Sequence, residues 1–465
     1  MSQTPRPATS TLDVQSFIDS HRFSAYQWLI LILCFMIVAI DGFDTAAMGY
    51  IAPALVQEWG IEKSSLGPVM SAALFGLAFG AIFAGPMADR VGRKRVLVMS
   101  VFFFGACSLA TAFAPSVTWL TVLRFLTGVG LGAAMPNAVT LMSEYAPARR
   151  RAILVNTMFC GFPLGSAGGG FFAAAIIPDF GWHSVLIFGG IVPLVLAVVL
   201  VAALPESIRY MVVRQYPADQ IRKVLARVTG ASLGGAQAFT VNETAPVARS
   251  AVGTVLAPRY RVGSAMLWLT YFMGLVIFYL LTSWMPTLMK DAGFTLQRAS
   301  LLTALFPLGG GIGTIAAGWF MDRFNPNKVI AFTYALTGVL IYAVGHGAGG
   351  DPFMLGLLIF LAGTAMNGAQ SSMPTLAASF YPTQGRATGV AWMLGIGRFG
   401  GIAGALLGAE LLRMHLGFDA IFTLLTVPAF IAAGALVVKQ FSGAASAADR
   451  GPDRAESSGK TVTGH

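Results

Sequence analysis

GPMADRVGRKR, Gly85 to Arg95, comes back in the second half of the chain as GWFMDRFNPNK, Gly318 to Lys328. A second pair follows each of them: YAPARRRA, Tyr145 to Ala152, and YPTQGRATG, Tyr381 to Gly389. The interval from Asp89 to Arg151 nearly equals that from Asp322 to Arg386, a match that unrelated loops would rarely show. Each of these four polar stretches closes an apolar run long enough, at about 20 residues, to cross a bilayer as a helix. Twelve such runs stand at approximately 26–50, 66–88, 95–114, 117–142, 153–177, 184–204, 265–289, 299–320, 328–346, 352–380, 386–411 and 418–439. The sequence therefore predicts an all-α integral membrane protein with twelve transmembrane helices in two pseudo-symmetric six-helix bundles. Its expected parts are a cytoplasmic N-terminal segment (1–25), a first bundle (26–204), a cytoplasmic central loop (205–264), a second bundle (265–439) and a disordered cytoplasmic tail (440–465). Within the loop, IRKVLARV has the pattern of a short amphipathic helix, whereas GASLGGAQ reads as flexible linker.

Composition agrees. Of 465 residues, 56% are hydrophobic and only 11% charged, against about 25% charged in soluble domains. The first 25 residues are polar and lead to no cleavage signature, so the first span is expected to be retained. A net charge of +10 is compatible with a nucleic-acid partner, but its distribution points elsewhere. Of 30 lysines and arginines, 24 lie on one set of alternate loops and 4 on the other, while Arg124 and Arg398 lie inside spans. This positive-inside asymmetry puts both termini and the central loop in the cytoplasm. Cys34, Cys107 and Cys160 sit in separate apolar runs without ligand spacing, so neither a disulfide framework nor a metal site is expected. No phosphate loop, nucleophile elbow or metal constellation marks an enzyme.

The intramembrane charges carry the chemistry. VAIDGFDTAAMGY, Val38 to Tyr50, sets Asp41 and Asp44 three residues apart on one helical face. Counting about 1.5 Å per residue from Tyr26 places Asp41 about 22 Å into a ~30 Å core. A charge at that depth needs a partner or water. Either the helix simply emerges into water here, or the carboxylates are paired inside; AAMGYIAPAL continues the apolar run past them and favours the second. Arg124 lies at the depth of Asp44 and is the candidate partner. The pair is then either a static tie between helices or a proton switch, in which engagement of the arginine by substrate releases or captures a proton. Arg398, in GIGRFGG, lies near the midplane, where a guanidinium can grip a carboxylate bidentately or pair permanently with an acid such as Glu410. Gly395, Gly397, Gly400 and Gly401 around it allow close approach by a helix or a substrate. Asn367 and Gln370 can donate to a bound molecule or serve as interhelical glue. Phe278, Tyr279, Trp284 and Trp392 can line a binding site or simply pack. His183 and His346 lie near span ends, where an interfacial role is expected.

GPMADRVGRK resembles the cytoplasmic signature of the major facilitator superfamily, and LTVLRFLTGVGLG, with Arg124 and Gly128, resembles its fourth-helix signature. DGFD, SEYAP, MGLVIFYLLTSWMPTLM, NGAQSSMPTLAASFYPTQGRATG and MLGIGRFG are similar to the aromatic acid:proton symporters within it, above all to bacterial carriers of 4-hydroxybenzoate and protocatechuate. The resemblance runs from about residue 11 to 440 and is weakest in the central loop. It implies a proton-coupled importer in the bacterial inner membrane, working by alternating access on a small aromatic carboxylate. The proton is then the coupling ion and no cofactor is needed. Proton coupling would fall to Asp41, Asp44 and Arg124, and substrate binding to Arg398, Asn367, Gln370, Trp392 and Tyr279. Asp89, Arg90, Arg93, Glu144, Asp322 and Arg386 would form gates, with Asp89 capping the eleventh helix and Glu144 pairing with Arg93 or Arg151. Topology charge alone explains the basic members of that set but not Asp89. CGFPLGSAGGG in the fifth span departs from the antiporter glycine-proline pattern, which favours symport. The alternatives are a carrier or exporter of another organic acid, or a membrane chemoreceptor for aromatic acids.

Overall fold

The structure is a computed structural model that describes residues 11–230, 238–240, 251–347, 350–381 and 383–448. Twelve of its helices are long and apolar enough to cross a membrane. The first six are α1 (Ala25–Trp59), α2 (Gly67–Val91), α3 (Arg93–Thr111), α4 (Val117–Tyr145), α5 (Gly161–Phe180, entered through Arg151–Phe159) and α6 (His183–Ala203). The second six are α7 (Pro258–Asp291), α8 (Leu296–Arg323), α9 (Pro326–Gly347), α10 (Pro352–Phe380), α11 (Thr383–Arg413) and α12 (Phe418–Ala448). Each coincides with one expected apolar run. Local chemistry sets their ends: Ser24 and Gln27 form a capping box at the start of α1, and Gly60 closes it at φ 61°. Ser116, Thr295 and Asp351 cap α4, α8 and α10.

Packing repeats with the sequence. In the first half α1 lies on α5, α2 on α4, and α3 on α4 and α6; in the second, α7 lies on α11, α8 on α10, and α9 on α10 and α12. The halves meet where α5 packs on α8, α11 on α2, and α1 on α7. Since apolar side chains gain little by leaving lipid, small residues must bring the helices together. A Cβ on Gly128 or Gly132 would stand 2.0 or 2.1 Å from the carbonyl oxygens of Ala73 or Leu77, so α4 rides directly on the α2 backbone. Gly313 and Gly363 set α8 against α10 in the same way.

Several features differ from expectation. α7 begins at Pro258, and α12 continues through the Ala-rich stretch to Ala448, both beyond the marked runs. The segment before α1 is not free: a strand at Thr11–Asp13 pairs in parallel with Ala238–Thr240 of the central loop, and a helix follows at Val14–Ser20. Asp19 accepts a hydrogen bond from the Ala148 N–H at 2.7 Å, and Gln27 donates to the Tyr145 carbonyl at 2.7 Å. The loop helix Ala218–Thr229 is amphipathic as expected and turns Ile221, Leu225 and Val228 inward. Its Arg227 guanidinium lies 4.5 Å from the Tyr26 ring centre. Most of GASLGGAQ, and the chain from 449 onward, lie outside the described residues. The end of the bundle where α1 begins is called here the basic end, and the opposite end the far end.

Candidate functional site

Asp44 and Arg124 form the best-defined polar contact inside the spans. Arg124 donates from Nη1 to Asp44 Oδ1 and from Nη2 to Oδ2, both at 2.8 Å, and from Nη2 to the Asp44 carbonyl at 3.3 Å. The Ser108 hydroxyl donates to Oδ1 at 3.3 Å. Both partners are essentially inaccessible, 1% and 2% exposed, so the reading of DGFD as a helix emerging into water is excluded. The fork geometry satisfies both carboxylate oxygens and neutralises both charges where neither could stand alone.

Asp41, one turn toward the basic end, is treated differently. It is 4% exposed, the Thr45 side chain lies near its carboxyl, and Oδ1 has no hydrogen-bond partner among the described residues. Electrostatically it faces Asp44 on its own helix and Arg398 on α11. Arg398 in turn lies within reach of Tyr271, Tyr279 and Asp41, without an ion pair among the described residues. Its Nη1 donates instead across the seam between the halves, to the Leu77 carbonyl of α2 at 3.2 Å. Glu410 is not its partner: that carboxylate is held by Arg413, one turn on, at 2.5 and 2.8 Å. A carboxylate three residues from an arginine at a helix end pairs locally before it reaches a distant cation.

Around Arg398 the glycines serve packing. The Tyr271 ring occupies the space a Cβ on Gly397 would need, and Tyr279 does so at Gly401. The Phe272 carbonyl approaches Gly400, whereas Gly395 has open space. Gln370 accepts a hydrogen bond from the Tyr334 hydroxyl at 2.5 Å and sets its amide nitrogen 3.5 Å from the Tyr271 carbonyl. Asn367 donates to Gly363 of its own helix at 2.9 Å and packs on Gly310 of α8. Trp392 packs against Trp268 with ring centres 5.8 Å apart, and Trp284 is fully buried, donating to the Ala405 carbonyl. Phe278 lies between Phe162 of the first half and Phe306 of the second. A cavity of about 20 Å³ remains beside Asp44, Thr45, Leu77, Arg124 and Tyr279. That is room for a single water rather than an aromatic ring.

The gate residues separate into two groups. Arg93 pairs with Glu144, as expected, and lies 3.9 Å from Asp89. Asp89 makes no contact with α11 among the described residues: its side chain is 74% exposed, and its carbonyl accepts from Arg214 at 2.9 Å. The carboxylate at a helix start is Glu206, which accepts from the Lys94 N–H at 3.0 Å and so caps α3 within the same half. The Arg90 carbonyl accepts from the Tyr210 hydroxyl at 3.1 Å. Asp322 and Arg386 are exposed and make no ion pair among the described residues. Ties between the halves stand instead at the far end: Lys63 to Asp291 at 2.5 Å and Lys290 to Gln57 at 2.9 Å. Those four residues, with Ser108, Tyr271, Tyr334 and the Leu77 carbonyl, were not singled out from sequence. Ser108 and Tyr334, polar groups in the middle of apolar runs, offered a signal; a backbone carbonyl offers none.

The family model of the Major Facilitator Superfamily matches residues 34–297 and 267–460. A 4-hydroxybenzoate transporter of Pseudomonas aeruginosa is 56% identical over 452 residues, covering 97% of this chain and 100% of that protein. A gallate transporter of Pseudomonas putida is 49% identical over 431 residues, covering 93% and 96%. Among solved structures, the inward open xylose transporter of E. coli matches with a TM-score of 0.70 at 18% identity, over 88% of this chain and 95% of that one, a likeness of fold.

Proposed function

Because this chain belongs to the major facilitator superfamily, we propose that it imports aromatic carboxylates of the hydroxybenzoate class, together with protons, across a bacterial inner membrane by alternating access. The observation that carries the substrate class is Arg398, a half-buried midplane guanidinium that has no carboxylate within ion-pair distance among the described residues and is parked on a backbone carbonyl. A substrate carboxylate offers it a charged bidentate partner in place of a neutral one. The relatives named above carry 4-hydroxybenzoate and gallate, each a flat ring with one carboxylate and at least one hydroxyl.

In this reading the carboxylate docks on Arg398, the ring lies against Tyr271 and Tyr279, and a ring hydroxyl meets the Gln370 amide. The basic end faces the cytoplasm, by its loop charge. The ties Lys63–Asp291 and Lys290–Gln57 then close the periplasmic side, while Asp89, Asp322 and Arg386 stand apart on the cytoplasmic side. Closing toward the cytoplasm would bring those gate residues together and break the far-end ties. The Asp41, Asp44 and Arg124 group couples that exchange to a proton.

Uptake of radiolabelled 4-hydroxybenzoate into proteoliposomes under an imposed pH gradient, competed by a panel of benzoates, tests the function. Arg398→Lys keeps the charge but loses the fork, and should raise inhibition constants for every benzoate about tenfold or more, given roughly 1.5–3 kcal/mol for a hydrogen bond to a charged group. Unchanged constants would remove Arg398 from the site.

A further inference from the structure

Four ionisable side chains occupy the middle of the bundle: Asp41 and Asp44 on α1, Arg124 on α4 and Arg398 on α11. Their formal charges sum to zero when all are ionised. The other elements packed around these four groups add no further charge among the described residues. α7 contributes the Tyr271 and Tyr279 phenols, α3 the Ser108 hydroxyl, α5 the backbone of Phe162 beside Gly42, and α2 the Leu77 carbonyl. Lys439, the other buried cation among the described residues, sits near the basic end of α12 and donates to Asn327.

The two carboxylates are not equivalent. Both oxygens of Asp44 are taken by the Arg124 fork, so a proton there would displace a charged donor and leave Arg124 unpaired. Asp41 Oδ1 has no donor at all, and is the oxygen with room for a proton. On the cation side, Arg124 is committed and Arg398 is not.

We propose that transport is electroneutral, with one proton carried on Asp41 for each aromatic monoanion carried on Arg398. This rests on the symport reading above and adds its stoichiometry. In the empty carrier ionised Asp41 balances Arg398. In the loaded carrier the proton neutralises Asp41 and the substrate carboxylate balances Arg398. Both states are uncharged overall and can reorient. Proton alone leaves the core at plus one, and substrate alone leaves it at minus one. A net charge is the state a membrane interior opposes, so neither half-loaded form crosses readily and the two solutes move together. A second proton has no vacant oxygen to take without breaking the Asp44–Arg124 pair. The proton forms an O–H bond on Asp41 at the periplasmic side and returns to water at the cytoplasmic side, so nothing else is consumed.

The test uses the full chain in proteoliposomes with radiolabelled 4-hydroxybenzoate, driven first by a pH gradient and then by a potassium diffusion potential at equal pH. Steady accumulation should be about tenfold per pH unit, the factor for one coupled proton, and should not respond to the potential. Accumulation of about a hundredfold per pH unit, or uptake driven by an inside-negative potential, would overturn the one-to-one count while leaving symport standing. If neither gradient drives accumulation but labelled substrate still exchanges with preloaded substrate, both the count and the symport reading fail. Asp41→Asn should lose pH-driven accumulation, and its residual influx should rise with an inside-positive potential, because the anion then travels without its proton. Tenfold accumulation per pH unit persisting in that variant would move the proton elsewhere and overturn the assignment.

Discussion

At the scale of the residue, the Asp44–Arg124 fork fixes what neighbouring groups can do. Arg124→Ala should destabilise the protein by about 3–5 kcal/mol, the range for stranding one member of a buried ion pair. Thermal unfolding in detergent would register it, and an unchanged midpoint would show that water enters the site. Tyr334→Phe addresses a subtler constraint. The Tyr334 hydroxyl donates to the Gln370 oxygen, so the amide must present its nitrogen to a ligand. Without that tie the amide can turn over, and the preference for 4-hydroxybenzoate over benzoate should fall about fivefold, a loss near 1 kcal/mol; competition assays would show it. The sequence revealed Asp41, Asp44, Arg124 and Arg398, because charges inside apolar runs stand out. Depth along the helices also matched Arg124 to Asp44, the pair the structure forms; it did not reveal that Arg398 would rest on the Leu77 carbonyl, because no side-chain pattern marks a backbone acceptor.

At the scale of the element, seams of glycine against backbone hold helix pairs together, and the same seam joins α2 to α4 and α8 to α10. The Leu77 carbonyl lies on one of them, receiving Gly132 from α4 and the Arg398 guanidinium from α11. Gly132→Ala would put a methyl 2.1 Å from that oxygen. Because backbone cannot yield locally, the expected outcome is loss of most of the monodisperse protein on size-exclusion chromatography; a normal yield would show that α4 can shift. Span positions were legible because a bilayer imposes length and hydropathy on every crossing. The cap expected of Asp89 on α11 is not formed among the described residues in this arrangement of the halves, and the acid at the start of α3 was not legible. Which carboxylate reaches the start of α3 depends on how the chain leaves α6, and Glu206 is the one delivered there.

At the scale of the whole molecule, the far-end ties hold the two halves in one arrangement. Lys63 and Asp291 are over a third exposed, so their pair is worth only about 0.2–1 kcal/mol. Asp291→Asn should therefore shift the population toward the alternative state by up to about fivefold. A cysteine replacing Leu74, which lines the central cavity, should then react faster with an impermeant maleimide added outside; an unchanged rate would show that other contacts hold that end shut. The internal repeat made the twofold plan readable from four short stretches, but the pairing of the N-terminal arm with the central loop has no counterpart among the described residues of the other half. That small parallel ladder, Thr11–Asp13 with Ala238–Thr240, sets an order for biosynthesis. Its first strand leaves the ribosome before any span, whereas its second is made only after all six spans of the first half. Parallel strands close only across long connections, so the arm must wait unpaired until the last of those helices has been threaded into the membrane. The ladder can therefore close only after the whole first bundle has been made.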